Sequence, residues 1–288
     1  MQPILKRYLR GVLGAALLAA LLFQVQWNSM INTATAVDWG LFSLAVFFAF
    51  LSNLVCSFRW AKIANILGIQ LSNSRAITLY FRGVAANTIL PGGIIGGDLY
   101  RTVALTQQGG TKLGAAGTVF LDRVSGLWGL SLLSVFTVTI ALSFEMLGPN
   151  SNKTAVVFYA IFLCAGALSP LVLASIKKIK FSVLKKTLVF SVLASALSVT
   201  AFYLCLLAVG AKLSLLSVFI VSTGIFLGAA LPASIGGFGS REIASVFFLS
   251  FFSIAVEEGF LASILFGVAA SIQGVVSVLL GRALSPKN

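Results

Sequence analysis

Apolar residues run in long uninterrupted blocks along this chain, and polar residues gather between the blocks rather than alternating with them. Blocks of this length read as membrane-crossing helices, which need about 20 apolar residues each. Positions 11–25, 41–58, 113–142, 154–176, 187–209 and 260–280 are the expected spans. Two further blocks are too short to cross before a Pro breaks them. Positions 76–90 end at Pro91 and positions 214–230 end at Pro232, and each is followed by glycines and a second helical run, 98–108 and 241–256. Broken backbone is tolerated at membrane depth only where it is buried in protein or lines a wet cavity. The pattern therefore predicts two re-entrant hairpins.

The order in each half is span, span, hairpin, span. The expected fold is an all-α polytopic membrane protein with about six transmembrane helices and two re-entrant helical hairpins in an inverted repeat. The chain forms a single domain, 1–288, with halves at about 1–150 and 151–288. The composition agrees: 59% hydrophobic and 9% charged residues, with a mean hydropathy of +1.04, against about 25% charged in soluble domains.

Charge orients the chain. Lys6, Arg7 and Arg10 precede the first span; Arg59, Trp60, Lys62 and Arg75 form a basic connection; Lys177, Lys178, Lys180, Lys185 and Lys186 form another. These mark the cytoplasmic side, whereas Asp38, Glu145, Glu257 and Glu258 fall in connections on the opposite side. A bacterial inner-membrane protein with both termini cytoplasmic is expected. The net charge of +13 is explained by basic loops facing anionic lipid, and no nucleic-acid partner is expected.

The interruptions carry the candidate chemistry. Positions 87–101 read N-T-I-L-P-G-G-I-I-G-G-D-L-Y-R and positions 231–242 read L-P-A-S-I-G-G-F-G-S-R-E. In the first, Gly92, Gly93, Gly96 and Gly97 allow sharp turning and free backbone N–H groups, and a half-helix is expected to start near Asp98. In the second, Ser234, Gly236, Gly237 and Gly239 precede a helix expected to be capped by Ser240. Asp122 and Arg123 lie roughly 15 Å along a helix from Lys112 at about 1.5 Å per residue, near mid-membrane, where charge is expensive and usually functional. Asp122 reads equally well as a structural ion-pair partner that ties its helix to the first hairpin. Arg82, Arg101, Arg123 and Arg241 together supply fixed positive charge suited to phosphate, with Asp98 and Glu242 placed to hold them or to respond to protons.

Other chemistries fit poorly. The chain has no histidine, which removes imidazole-based catalysis and metal binding; no metal site or cofactor is expected. Cys56, Cys164 and Cys205 lie apart in apolar runs and read as packing residues. Gly96-Gly97-Asp98 departs from the Gly-x-Gly-Asp spacing of intramembrane aspartyl proteases, since position 95 is Ile. No Walker motif is present.

At these residues the chain resembles the lysylphosphatidylglycerol synthase transmembrane-region family, which includes the flippase domain of the multiple peptide resistance factor. The resemblance rests on the two broken stretches and on F-L-D-R-V-S-G-L between them. It implies a flippase-like, often dimeric domain that moves anionic or aminoacylated phospholipid or polyprenyl-linked lipid. By motif, the family positions here are Asn87, Pro91, Gly96, Gly97, Asp98, Arg101, Asp122, Arg123, Pro232, Gly236, Gly237, Gly239, Arg241 and Glu242. The chain stops soon after its last expected span, so the soluble aminoacyl-transferase domain is expected to be absent, and with it lysyl-lipid synthesis.

The expected function is therefore translocation, without enzymatic activity, of a phospholipid or polyprenyl-phosphate-linked lipid whose anionic head group sits between the hairpins. A membrane-embedded transferase on lipid-linked substrates, a partner subunit of a lipid-modifying enzyme and a small-solute transporter are the alternatives. Hairpin physics alone does not name the cargo.

Overall fold

A computed structural model describes residues 26–89, 94–107, 109–146, 152–175, 181–230 and 239–283. Every regular element among them is helical: α1 (Trp27–Thr35), α2 (Trp39–Ile66), α3 (Asn73–Ile89), α4 (Ile94–Thr106), α5 (Lys112–Ser143), α6 (Lys153–Ser175), α7 (Phe181–Ala208), α8 (Leu215–Ala230), α9 (Ser240–Leu249), a short 3₁₀ turn (Ser250–Phe252) and α10 (Val256–Ala283). Four are long and apolar enough to cross a membrane, over Trp39–Ile66, Lys112–Ser143, Ser182–Ala208 and Val256–Leu279. The expected span at 11–25, and Pro91, Gly92, Gly93, Pro232, Ser234, Gly236 and Gly237, lie outside the described residues.

Local chemistry sets where the long helices begin. The Asp38 carboxylate accepts from the N–H groups of Gly40 and Leu41, and the Thr111 hydroxyl accepts from Gly114, so α2 and α5 start one residue later. Several boundaries differ from expectation. The stretch before the second span is a short helix, α1, resting on α10. The second span continues past position 58 to Ile66, so Arg59, Trp60 and Lys62 belong to a helix and not to a basic connection. The helix after the second broken stretch is only Ser240–Leu249, because the chain turns at Ser250–Phe252 before α10.

Backbone hydrogen bonds group the connections by end. At one end, Gln26 donates to Glu257, Asp38 to the Ala208 carbonyl and Asn152 to the Phe251 carbonyl. At the other end, Leu71, Leu105 and Ala115 share an apolar cluster. The pair α3–α4 thus begins and ends at one end of the bundle, and α8–α9 begins and ends at the opposite one.

Packing repeats between the two halves. The α3–α4 pair has its counterpart in α8–α9, α4–α5 in α9–α10, and α2–α5 in α7–α10. The helix pairs are exchanged: α3 packs on α10, and α8 packs on α5. At the centre α2 and α7 cross, with the Ser52 hydroxyl bonding the Ala194 carbonyl at 2.8 Å and the Ser198 hydroxyl at 2.7 Å.

Candidate functional site

A cavity of about 290 Å³ opens where the two helix pairs approach each other. It is far larger than the 10–15 Å³ or so that one water requires. Tyr80, Gly83, Asn87, Gly97 and Arg101 wall it from α3 and α4, and Ala229 and Arg241 from α8 and α9. Asn53, Cys56 and Arg59 of α2, Arg123 of α5 and Gln273 of α10 also line it. A second cavity of about 340 Å³ shares Arg59, Arg123 and Phe226 with the first and adds Asp98 and Asp122.

The cationic end is an ion cluster. Asp122, 1% exposed, accepts from Arg59 Nε at 2.8 Å and from Arg101 Nη1 at 2.9 Å. Asp98 accepts from Arg101 Nη2 at 2.8 Å and from Arg123 Nη2 at 2.7 Å. The Arg101 guanidinium also lies over the Tyr80 ring at 4.7 Å and the Trp60 ring at 5.2 Å. Arg59 and Arg101 are buried, whereas the Arg123 side chain keeps 38% of its surface accessible. Asp122 is therefore a buried counter-charge that ties α2, α4 and α5 together. Arg123 is the arginine of the cluster that presents itself.

Helix starts in the broken stretches are not where the glycines suggested. The first of these helices begins at Ile94, so Asp98 lies in its second turn and Gly96 and Gly97 are helical. Gly97 serves close approach: a Cβ there would collide with the Gly83 carbonyl and the Asn87 side chain on α3, and its own N–H donates to Asn87 Oδ1 at 2.6 Å. The second begins at Ser240, with Gly239 and not Ser240 at the cap. Gly239 has φ +120°, which side-chain-bearing residues avoid. Its N–H donates to Glu242 Oε2 at 2.6 Å, so the carboxylate supplies what the expected serine does not. The Ser240 hydroxyl is buried, with no hydrogen-bond partner among the described residues.

Glu242 also fixes the second pair's arginine. Its Oε1 accepts from Arg241 Nη2 at 2.9 Å and from the Ser263 hydroxyl at 3.0 Å, while Arg241 Nε donates to Ser263 at 3.0 Å. Asn87, Gly97, Arg101, Arg123 and Arg241 thus share one cavity, and Asp98 and Asp122 face the adjoining one. Arg82 is half-buried and is not among the residues walling either cavity. Sequence reasoning missed Arg59, Asn53 and Gln273. Asn53 and Gln273 carried a signal, a polar side chain inside a long apolar run, whereas Arg59 carried none, because the apolar run 41–58 stops just before it.

Long apolar helices packed around buried charge define a multi-pass membrane protein. The chain belongs to the lysylphosphatidylglycerol synthase transmembrane-region family, whose model matches residues 8–188. The match includes the first broken stretch and the Asp122-Arg123 motif and ends before the second broken stretch. No curated protein matches the chain.

Proposed function

We propose that this protein carries a lipid with an anionic phosphate head group between bilayer leaflets, acting as a transporter and not as an enzyme. One observation carries the reading: a single cavity, walled by both helix pairs, is lined by Arg59, Arg101, Arg123 and Arg241. Guanidinium groups bind phosphate oxygens in bidentate fashion. Membership of a lipid-related membrane family supports the same reading. In this proposal α3–α4 and α8–α9 are re-entrant hairpins of inverted halves, 1–150 and 151–288, and the exchanged packing supports that. The head group occupies the cavity while the acyl chains stay in the bilayer. The basic connections favour cytoplasmic termini in a bacterial inner membrane.

The test is translocation in proteoliposomes, with acyl-chain-labelled phosphatidylglycerol, phosphatidylethanolamine and polyprenyl phosphate followed by quencher accessibility. Faster equilibration of an anionic lipid that depends on Arg123 is expected. Equal rates in protein-containing and empty vesicles, with the protein shown to be folded, would overturn the proposal.

A further inference from the structure

At the end of the bundle where α2 stops lies a groove of about 680 Å³, apart from both cavities described above. Phe58, Lys62, Asn65 and Ile66 line it from α2, Asn73 from the start of α3 and Phe190 from α7. None of these residues lines either cavity. Lys62, Asn65 and Asn73 are exposed, so the groove opens outwards. Its walls are fixed. Asn65 Nδ2 donates to the Ala61 carbonyl at 2.8 Å and to the Leu71 carbonyl at 2.9 Å, and its Oδ1 accepts from the Leu71 N–H at 3.1 Å. These bonds staple the connection between α2 and α3, while Ile63 packs with Val183 and Leu184 of α7. The volume falls within the range of about 300–1,000 Å³ usual for small-ligand sites.

The lining changes character along the helices. Lys62 lies one turn before the end of α2, about 6 Å at 1.5 Å per residue, and Phe58 lies one turn further in. The Lys62 ammonium stands over the Phe190 ring at 5.2 Å. On α7, Lys186, Phe190 and Leu193 share one face in the order cation, aromatic, aliphatic, and Lys186 and Leu193 are exposed. Charge is thus held near the helix ends and apolar surface continues towards the middle of the bundle.

Charge selects the occupant. Lys62 is the charged side chain lining the groove, and Arg75, Lys112, Lys185 and Lys186 lie near the starts of helices at the same end. The acidic residues outside the ion pairs, Asp38, Glu145, Glu257 and Glu258, lie at the opposite end. A zwitterionic head group therefore finds no acid here for its ammonium. A soluble anion would leave the apolar part of the groove uncovered.

We propose that this groove is a second lipid site, in which an anionic phospholipid of the leaflet beside the basic end binds as a resident ligand, its phosphate on Lys62 and an acyl chain along Phe58 and Phe190. Its walls come from α2 and α3 of the first half and α7 of the second, so the bound lipid fastens the two halves near their central crossing. The site stands apart from the translocation reading and does not depend on it.

The test places a fluorescent reporter beside the groove. Val189 is exposed and adjoins Phe190 without lining the groove. Val189→Trp is reconstituted in vesicles that mix ordinary phosphatidylcholine with brominated-chain phosphatidylglycerol or brominated-chain phosphatidylcholine. Quenching beyond that of the unaltered protein reports lipid at the groove. Phosphatidylglycerol is expected to occupy it about fivefold more tightly than phosphatidylcholine, the worth of one lysine near an anionic surface. Adding Lys62→Gln should bring that ratio towards one, Lys62→Arg should keep it, and Arg123→Ala, in the cavity, should leave it unchanged. Equal quenching by the two lipids overturns the proposal, as does a preference that survives Lys62→Gln. Loss of the preference in Arg123→Ala would assign the lipid to the cavity and overturn it too. So would displacement by glycerol 3-phosphate in the aqueous phase, which would mark a soluble-anion site. Should Lys62→Gln fail to reconstitute, Lys62→Met, which keeps the stem beside the Phe190 ring, takes its place. No lipid need cross the bilayer in this measurement, so the two readings fail separately.

Discussion

Arg59 Nε and Asp122 Oδ1 lie 2.8 Å apart, although 63 positions separate them in the chain. Their bond joins α2 to α5 inside the bundle, and Arg101 closes the cluster from α4. Removing one member of a buried pair leaves the other charged and unsolvated, at a cost of about 3–5 kcal/mol. Asp122→Asn takes the carboxylate charge from Arg59 and leaves Arg101 with Asp98 alone. A clear fall in the thermal unfolding midpoint of the detergent-solubilised protein is expected, and an unchanged midpoint would refute the structural role given to Asp122.

Arg123 differs from Arg59 in exposure, and the two should separate on substitution. Arg123→Ala removes one cavity-facing cation whose side chain is 38% accessible. Insertion and folding are expected to survive, while translocation of an anionic lipid falls about tenfold or more, the usual worth of a charge-assisted hydrogen bond. Arg59→Ala is expected to reduce the amount of folded protein instead. Size-exclusion profiles run beside the transport assay distinguish the two outcomes.

Gly97→Ala tests the contact between α3 and α4. The added methyl would meet the Gly83 carbonyl and the Asn87 side chain, so the helices must separate. A loss of about 1–3 kcal/mol is expected from overpacking, with the Asn87–Gly97 hydrogen bond weakened. Gly117→Ala, where a methyl meets nothing within 4 Å, is the control expected to be neutral in the same unfolding assay.

Gly239→Ala strains the entry to α9, since φ +120° is retained only at a cost of about 1–3 kcal/mol. Glu242→Gln keeps an amide oxygen for the Gly239 N–H but removes the carboxylate charge beside the buried Arg241, so stability is expected to fall as well. It weakens the hold on Arg241, so transport is expected to drop more than stability. A variant in which stability drops and transport does not would argue that Glu242 serves the cap alone.

Much of this architecture was legible in the sequence, for reasons tied to particular residues. The limits of α5, Lys112–Ser143, lie within one residue of the apolar run 113–142 at each end. Arg101, Arg123 and Arg241 could be nominated because charge at membrane depth is rare and must be compensated. The end of α2 could not be read. Arg59-Trp60-Ala61-Lys62 looks like the basic margin of a span, and only Asp122, far along the chain, reveals that Arg59 is interior. Glycines misled in the first stretch for a related reason. Gly96 and Gly97 look like a break, yet both lie within α4, and Gly97 is small because it faces the Gly83 carbonyl of α3. Gln273 stayed hidden because a single amide among apolar residues acquires meaning only when Asn53 stands opposite.

The exchange of helix pairs between halves also has a consequence in time. Ser277 Oγ on α10 donates to the Phe81 carbonyl on α3 across 196 positions. A ribosome delivers α3 well before α10, so during synthesis the first pair must wait with one flank uncovered. Its companions from the first half are α2 and α5, which share the Arg59–Asp122–Arg101 cluster with α4. All three members of that ionic knot lie in the first half, so its formation does not wait for the second half to emerge.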